Sequence, residues 1–262
     1  MIDYHVHTSL CGHACGEIEE YIQAAIDAGL SEIGFTDHSP LPAGLREGIT
    51  MEPGEMETYL GMISAAKKDY NDRIKVKLGL EVDFPLFDSF DHGYMDHPEM
   101  DYLIGSCHFL DDWPFDHPDH VEEFSRRDIN RVYEQYYDIM RSLVSSGRFQ
   151  VVGHFDLVKK FGHRATRDFT GTIEEIASIM GANNVAAEIN TAGFRKPVKE
   201  IYPSEEIISI FFNKNVPVTL GSDAHSPVEI SHMFCEALEI IKKAGYRKLS
   251  GFEKKQRYDI PL

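Results

Sequence analysis

The chain has 262 residues, 42% of them hydrophobic and 26% charged, globular values that exclude disordered, collagenous and low-complexity classes. Its 26 Lys and Arg stand against 43 Asp and Glu, a net charge of −17 that argues against a dedicated nucleic-acid binder. No apolar run approaches the ~20 residues of a membrane helix, and the four cysteines Cys11, Cys15, Cys107 and Cys235 fit a reduced, cytoplasmic chain better than a disulfide scaffold.

Taken in order, short runs rich in Val, Ile and Leu alternate with segments of helical period. Ile2–His7 reads as the first strand. Glu17–Ala28 follows as a helix, with Ile18, Tyr21, Ile22, Ala25 and Ile26 on one stripe and Gly29 as its stop. Glu32–Thr36 is the second strand, and Glu55–Tyr70 a helix with Met56, Tyr59, Leu60 and Ile63 inward. Ile74–Val82 and Tyr102–Cys107 are strands three and four, separated by the irregular stretch Phe84–Met100. Asp111–His120 reads as a polar loop, and Ser125–Ser146 as a helix. Gln150–His154, Val185–Asn190 and Pro217–Gly221 complete seven strands, with helices over Thr172–Met180, Ser204–Asn213 and Val228–Lys243.

Strands that are apolar throughout, rather than alternating, belong to a parallel sheet covered on both faces. Seven of them separated by helices predict an α/β fold, a distorted seven-stranded TIM-like barrel forming one domain over residues 1–262. A doubly wound sheet is the structural runner-up, but no GxGxxG or P-loop supports it.

The 13 histidines are the unusual count. His5 and His7 lie two apart in the first strand and so point to one side. His13 lies in the loop that follows, and Asp37-His38 follows strand two. Glu81 is in strand three, His108 follows strand four, His154 ends strand five, and Asp223 and His225 follow strand seven. In a parallel barrel these strand ends converge on one mouth. Nine N/O donors would gather there, too many for one ion of about four to six ligands and suited to zinc, iron or manganese. His92, His97, His117, His120 and His232 read as solvated, Cys11 and Cys15 as loop residues beside His13, and His163 as an intermediate case.

These residues resemble the polymerase-and-histidinol-phosphatase (PHP) family. The motifs are His5-Val-His7, His13, Thr36-Asp37-His38, Gly79-Leu80-Glu81, Gly105-Ser-Cys-His108, Gly153-His154 and Gly221-Ser-Asp223-Ala-His225. Three stretches are closer to the histidinol-phosphatase branch: Gly105–Asp116, Glu188–Lys196 with Ile201–Ser204 after it, and Thr36–Pro42. One local departure is Phe84-Pro85-Leu86-Phe87-Asp88, where a glycine turn is expected.

The resemblance implies three divalent metal ions. His5, His7, Glu81 and Asp223 would hold the first, Glu81 would bridge to a second completed by His108 and His154, and His13, His38 and His225 would hold the third. Asp37 would orient an imidazole. With three ions the set would carry about +4, enough to draw a phosphate dianion to an acidic chain. The implied reaction is hydrolysis of L-histidinol phosphate to L-histidinol and inorganic phosphate by an acidified water. Asp223 and His225 are candidates to assist the leaving group. Arg195 would clamp phosphate bidentately, seconded by Lys196, with Lys160 and Arg164 as a further basic choice. Asp83, Trp113, Phe115 and Asp116 are the candidates to read the imidazole and amine. The expected partner is thus a small-molecule phosphate ester, with no nucleic acid and no membrane; nothing in the sequence signals an oligomeric state. Competing readings are a phosphoesterase for nucleotides or phosphotyrosine, an amidohydrolase, which also begins from H-x-H on a barrel strand, and a non-catalytic metal-binding module.

Overall fold

A computed structural model describes residues 1–89 and 92–262. Seven parallel strands form one sheet: β1 (Ile2–Val6), β2 (Glu32–Phe35), β3 (Lys75–Asp83), β4 (Tyr102–Ser106), β7 (Val151–Val152), β8 (Ala186–Asn190) and β9 (Val218–Gly221), hydrogen-bonded in that order. The two edges approach each other, because His7 N donates to Ala224 O at 2.9 Å and Ala224 N to His5 O at 3.2 Å. The result is the nearly closed β/α barrel expected from the apolar strand runs, with helices α1 (Ile18–Asp27), α2 (Met56–Asp69), α3 (Ile129–Ser145), α4 (Thr170–Asn183), α5 (Glu205–Asn213) and α6 (Phe234–Ala244).

Local chemistry sets the helix ends. Glu20 reaches back to the Glu17 N–H at 2.7 Å and closes a capping box on α1, and the buried stripe Ile18, Tyr21, Ile22 and Ala25 faces the sheet. In α2 the buried residues are Met56, Tyr59, Leu60, Ile63 and Ala66. Helix α3 begins four residues later than its period predicts, because Asp128 caps it by accepting from Asn130 N at 2.9 Å. The preceding Pro118–Arg126 winds as a 3-10 helix. Helix α6 begins at Phe234 rather than Val228, because Met233 takes a left-handed φ of +57°. Strand β7 spans only two residues of the predicted Gln150–His154, after which the chain turns at His154.

Two hairpins correct the sequence reading. Within the expected Asp111–His120 loop, β6 (Trp113–Pro114) pairs back on β5 (Phe109–Leu110). At the C-terminus β10 (Lys248–Glu253) and β11 (Gln256–Pro261) form an antiparallel pair against β9 and the start of β2. There Tyr4 and Tyr258 both donate to Glu32 Oε2 at 2.5 Å, with Lys77 Nζ 3.6 Å away. The departure after Asp83 forms a 3-10 helix, Phe84–Ser89; Phe90 and Asp91 of the predicted irregular stretch lie outside the described residues. Among the described residues no helix is long and apolar enough to cross a membrane.

Candidate metal centre

All nine predicted donors meet at the C-terminal ends of the strands. Glu81 is the hub. Its Oε1 lies 2.8 Å from His154 Nε2 and 3.6 Å from His108 Nε2. Its Oε2 lies 3.2 Å from His5 Nε2, 3.6 Å from His7 Nε2 and 3.0 Å from His38 Nδ1. One carboxylate thus faces two separate sets of imidazoles. Asp223 Oδ1 stands 3.4 Å from His7 Nε2 and 3.8 Å from His5 Nε2. It is aimed there by a left-handed turn, φ +54°, which aspartate adopts more readily than most residues. His225 stacks on His7 and His13, ring centroids 4.1 and 4.6 Å apart.

Partners behind the imidazoles fix their orientation. Glu188 Oε1 lies 2.6 Å from His5 Nδ1, and its Oε2 accepts from His154 N at 2.8 Å. Asp37 Oδ1 lies 3.4 Å from His7 Nδ1, as expected of it, and its Oδ2 is held by the Thr8 hydroxyl. Asp83 lies 3.1 Å from His108 Nδ1, and Ser106 donates to Glu81 Oε1 at 2.6 Å. Gly221 makes room for this: a Cβ there would lie 2.1 Å from Glu188 Oε1 and 2.7 Å from the His5 Cβ.

The residues fit a metal cluster. Nε2 of His5 and Nε2 of His7 are buried without hydrogen-bond partners among the described residues, a costly state for polar atoms unless a further group satisfies them. Ligand atoms of His5, His7 and Glu81 lie within 4.8 Å of one another, as do those of His38, Glu81 and His108, and of His7, His38 and His225. Burial works against charge at Glu81 and Asp223, but the surrounding imidazoles outweigh it and hold both carboxyls well below their usual range. Burial, reinforced by His38 and His7, lowers His13 to about 4, and burial with neighbouring imidazoles also lowers His38 and His225. These three rings are therefore neutral near pH 7, the form that ligates metal.

A cavity of about 420 Å³ opens over the cluster, reaching His13, His38, Glu81, His108, His154, Asp223 and His225. Of the predicted substrate contacts, Asp83, Asp116, Arg195 and Lys196 line it. Asp116 pairs with Lys160 at 3.0 Å; burial opposes its ionisation, but Lys160 and His108 prevail and hold it at about 2. Arg195 departs from the bidentate clamp expected of it. Its Nη2 donates to Ser222 O and Asp223 O at 2.9 and 3.1 Å and its Nε pairs with Glu229 at 3.1 Å, leaving Nη1 buried and without a partner among the described residues.

Trp113 and Phe115 do not line the cavity. Trp113 donates to His120 O at 3.3 Å and packs edge-on against Phe124, and Phe115 packs against Tyr136. Pro114 and Asp116 line the cavity while Trp113 and Phe115 are buried in the core. The sequence reading missed Glu188, Glu229, Tyr202 and His117. Glu188 had a signal, an acidic side chain inside an otherwise apolar strand. His117, read as solvated, lies at the cavity wall.

A PHP domain model matches residues 3–192. The chain belongs to the PHP family. Among its PHP relatives, a probable histidinol-phosphatase of Deinococcus radiodurans is 39% identical over 251 residues, covering 95% of this chain and 96% of that protein. The histidinol-phosphatase of Bacillus subtilis is 30% identical, covering 90% and 98%. The fold matches a crystal structure of histidinol phosphate phosphatase from Lactococcus lactis, complexed with zinc, L-histidinol and phosphate, with a TM-score of 0.80 at 24% identity over 98% of both chains.

Proposed function

We propose that this PHP chain is a metal-dependent histidinol-phosphate phosphatase, releasing L-histidinol and inorganic phosphate. The observation that carries the chemistry is Glu81, whose two oxygens face separate imidazole sets beneath a cavity lined by Lys160, Arg195 and Lys196. The likeness to histidinol-phosphatases of nearly equal length supports the substrate.

His5, His7, Glu81 and Asp223 would hold one divalent ion, Glu81, His108 and His154 a second, and His13, His38 and His225 a third, each zinc, iron or manganese. Bound ions supply an acidified water and neutralise charge on the phosphoryl oxygens. The protein's own part is orientation. Glu188, Asp37 and Asp83 fix the rings of His5, His7 and His108. Glu229 accepts from His225 N at 2.8 Å and pairs with Arg195, coupling that ligand to the phosphate-binding side. Arg195 Nη1 and Lys196, which has no ion-pair partner among the described residues, offer donors to the phosphoryl group. Asp116, ionised on the cavity wall, faces the cationic amino-alcohol end.

The test is metal removal and return. A chelator abolishes phosphate release from histidinol phosphate, and one of zinc, iron or manganese restores it, with three ions per chain by elemental analysis. Turnover retained by metal-free protein would overturn the reading.

A further inference from the structure

The segment after β8 leaves the sheet at Thr191 and returns at Tyr202. Its return is fixed by a pair of backbone hydrogen bonds, Asn190 N to Tyr202 O at 2.7 Å and Tyr202 N to Asn190 O at 3.0 Å. The Tyr202 ring is held as well. Lys159 Nζ lies 5.4 Å from its centroid, and a Cβ on Gly193 would approach its edge to 3.1 Å. Tyr202 lines the cavity over the metal centre, yet its hydroxyl is buried and has no hydrogen-bond partner among the described residues.

A buried hydroxyl without a partner loses its bonds to water and gains nothing in return. Native structures rarely leave such a group orphaned without a ligand or functional reason. The same segment carries Arg195, with its orphaned Nη1, and Lys196, with no ion-pair partner among the described residues. All three residues line one cavity, and each of these groups can donate. Burial and the nearby carboxylates of Asp156 and Asp223 keep the phenol protonated, so it can only donate to an anion. Two orphaned donors beside a cationic ammonium group suit a ligand with several anionic oxygens.

We propose that Tyr202 is a substrate-binding residue whose hydroxyl donates to a phosphoryl oxygen, beside Arg195 Nη1 and Lys196. This rests on the reading of the cavity as a phosphate-ester site. Deleting the hydroxyl must then harm function without harming the fold, because no group among the described residues bonds it.

The experiment is Tyr202→Phe in the metal-loaded enzyme, which keeps the ring. Three quantities are measured: inorganic phosphate binding by calorimetry, kcat/KM with histidinol phosphate and p-nitrophenyl phosphate, and the melting temperature. Phosphate affinity and kcat/KM for both esters fall about ten- to hundredfold, the effect of losing a hydrogen bond to a charged group, and the melting temperature holds or rises. Unchanged phosphate affinity and kinetics overturn the proposal. So does a fall in melting temperature with kinetics intact, which would give the hydroxyl a structural partner. If wild-type enzyme ignores histidinol phosphate while Tyr202→Phe still weakens phosphate binding, the substrate reading fails and the Tyr202 contact stands.

Discussion

Glu188 Oε1 sits 2.6 Å from Nδ1 of His5, with both side chains fully buried. The contact fixes which His5 nitrogen is turned toward Glu81 and Asp223. Glu188 offers no oxygen to the cavity and acts only through its neighbours. Glu188→Gln is expected to weaken metal binding by about ten- to a hundredfold, the usual cost of losing a carboxylate behind a metal-binding histidine. Competition against a chromogenic chelator checks this. Wild-type metal affinity in the variant would reduce Glu188 to a packing residue.

His154 and Asp223 stand at the ends of strands, where truncation spares the sheet. His154→Ala and Asp223→Ala are expected to fold, with unchanged circular dichroism, and to lose more than about a hundredfold in turnover, beyond the effect of an outer partner. Full activity with unchanged metal content in either variant contradicts the ligand assignment.

Proton and metal compete for the same rings. In the metal-free chain burial pulls His108 down, but Glu81 and the Asp83 hydrogen bond prevail and raise it to about 10. His7 is raised to about 9, the carboxylates of Asp223 and Asp37, each 3.4 Å from one of its nitrogens, outweighing burial. A group whose folded value exceeds its unfolded one stabilises fully below the unfolded value, here 6.5, and loses that contribution as pH rises through the folded value. Metal-free protein therefore weakens as pH climbs from 6.5 toward 10, while metal affinity tightens over the same span as fewer protons must leave. Melting curves of the metal-free protein, with calorimetry in two buffers of different ionisation enthalpy, test both halves. A flat stability profile without proton release on metal binding refutes this account.

At the start of β2 the Glu32 carboxylate ties Tyr258 of the terminal hairpin to Tyr4 of β1. Tyr258→Phe is expected to cost about 1–2 kcal/mol and to lower the melting temperature by about 2–4 °C. Activity should hold, because the metal centre lies at the other ends of the strands. Lost activity at an unchanged melting temperature would contradict that separation.

Much of the molecule is legible in its sequence because burial on both faces writes a parallel strand as a continuous apolar run, and a barrel places polar strand ends together. The motif histidines, which apart from His13 fall at the ends of such runs, therefore mark the metal centre. What stays hidden has local causes. The terminal hairpin turns through Lys254 and Lys255 at φ +47° and +64°, without the Asn-Gly pair that announces such turns. Trp113 and Phe115 are misplaced by the sequence reading because strands of two residues leave no readable period. Tyr202 lies in a long loop, and an unsatisfied hydroxyl is visible only once its neighbours are in place.

The most direct measurement is phosphate release by metal-replete protein from histidinol phosphate, beside p-nitrophenyl phosphate, a nucleoside monophosphate and phosphotyrosine. The account predicts a kcat/KM for histidinol phosphate several orders of magnitude above the others. A flat or nucleotide-biased profile would leave the barrel and its metal centre standing and contradict the substrate.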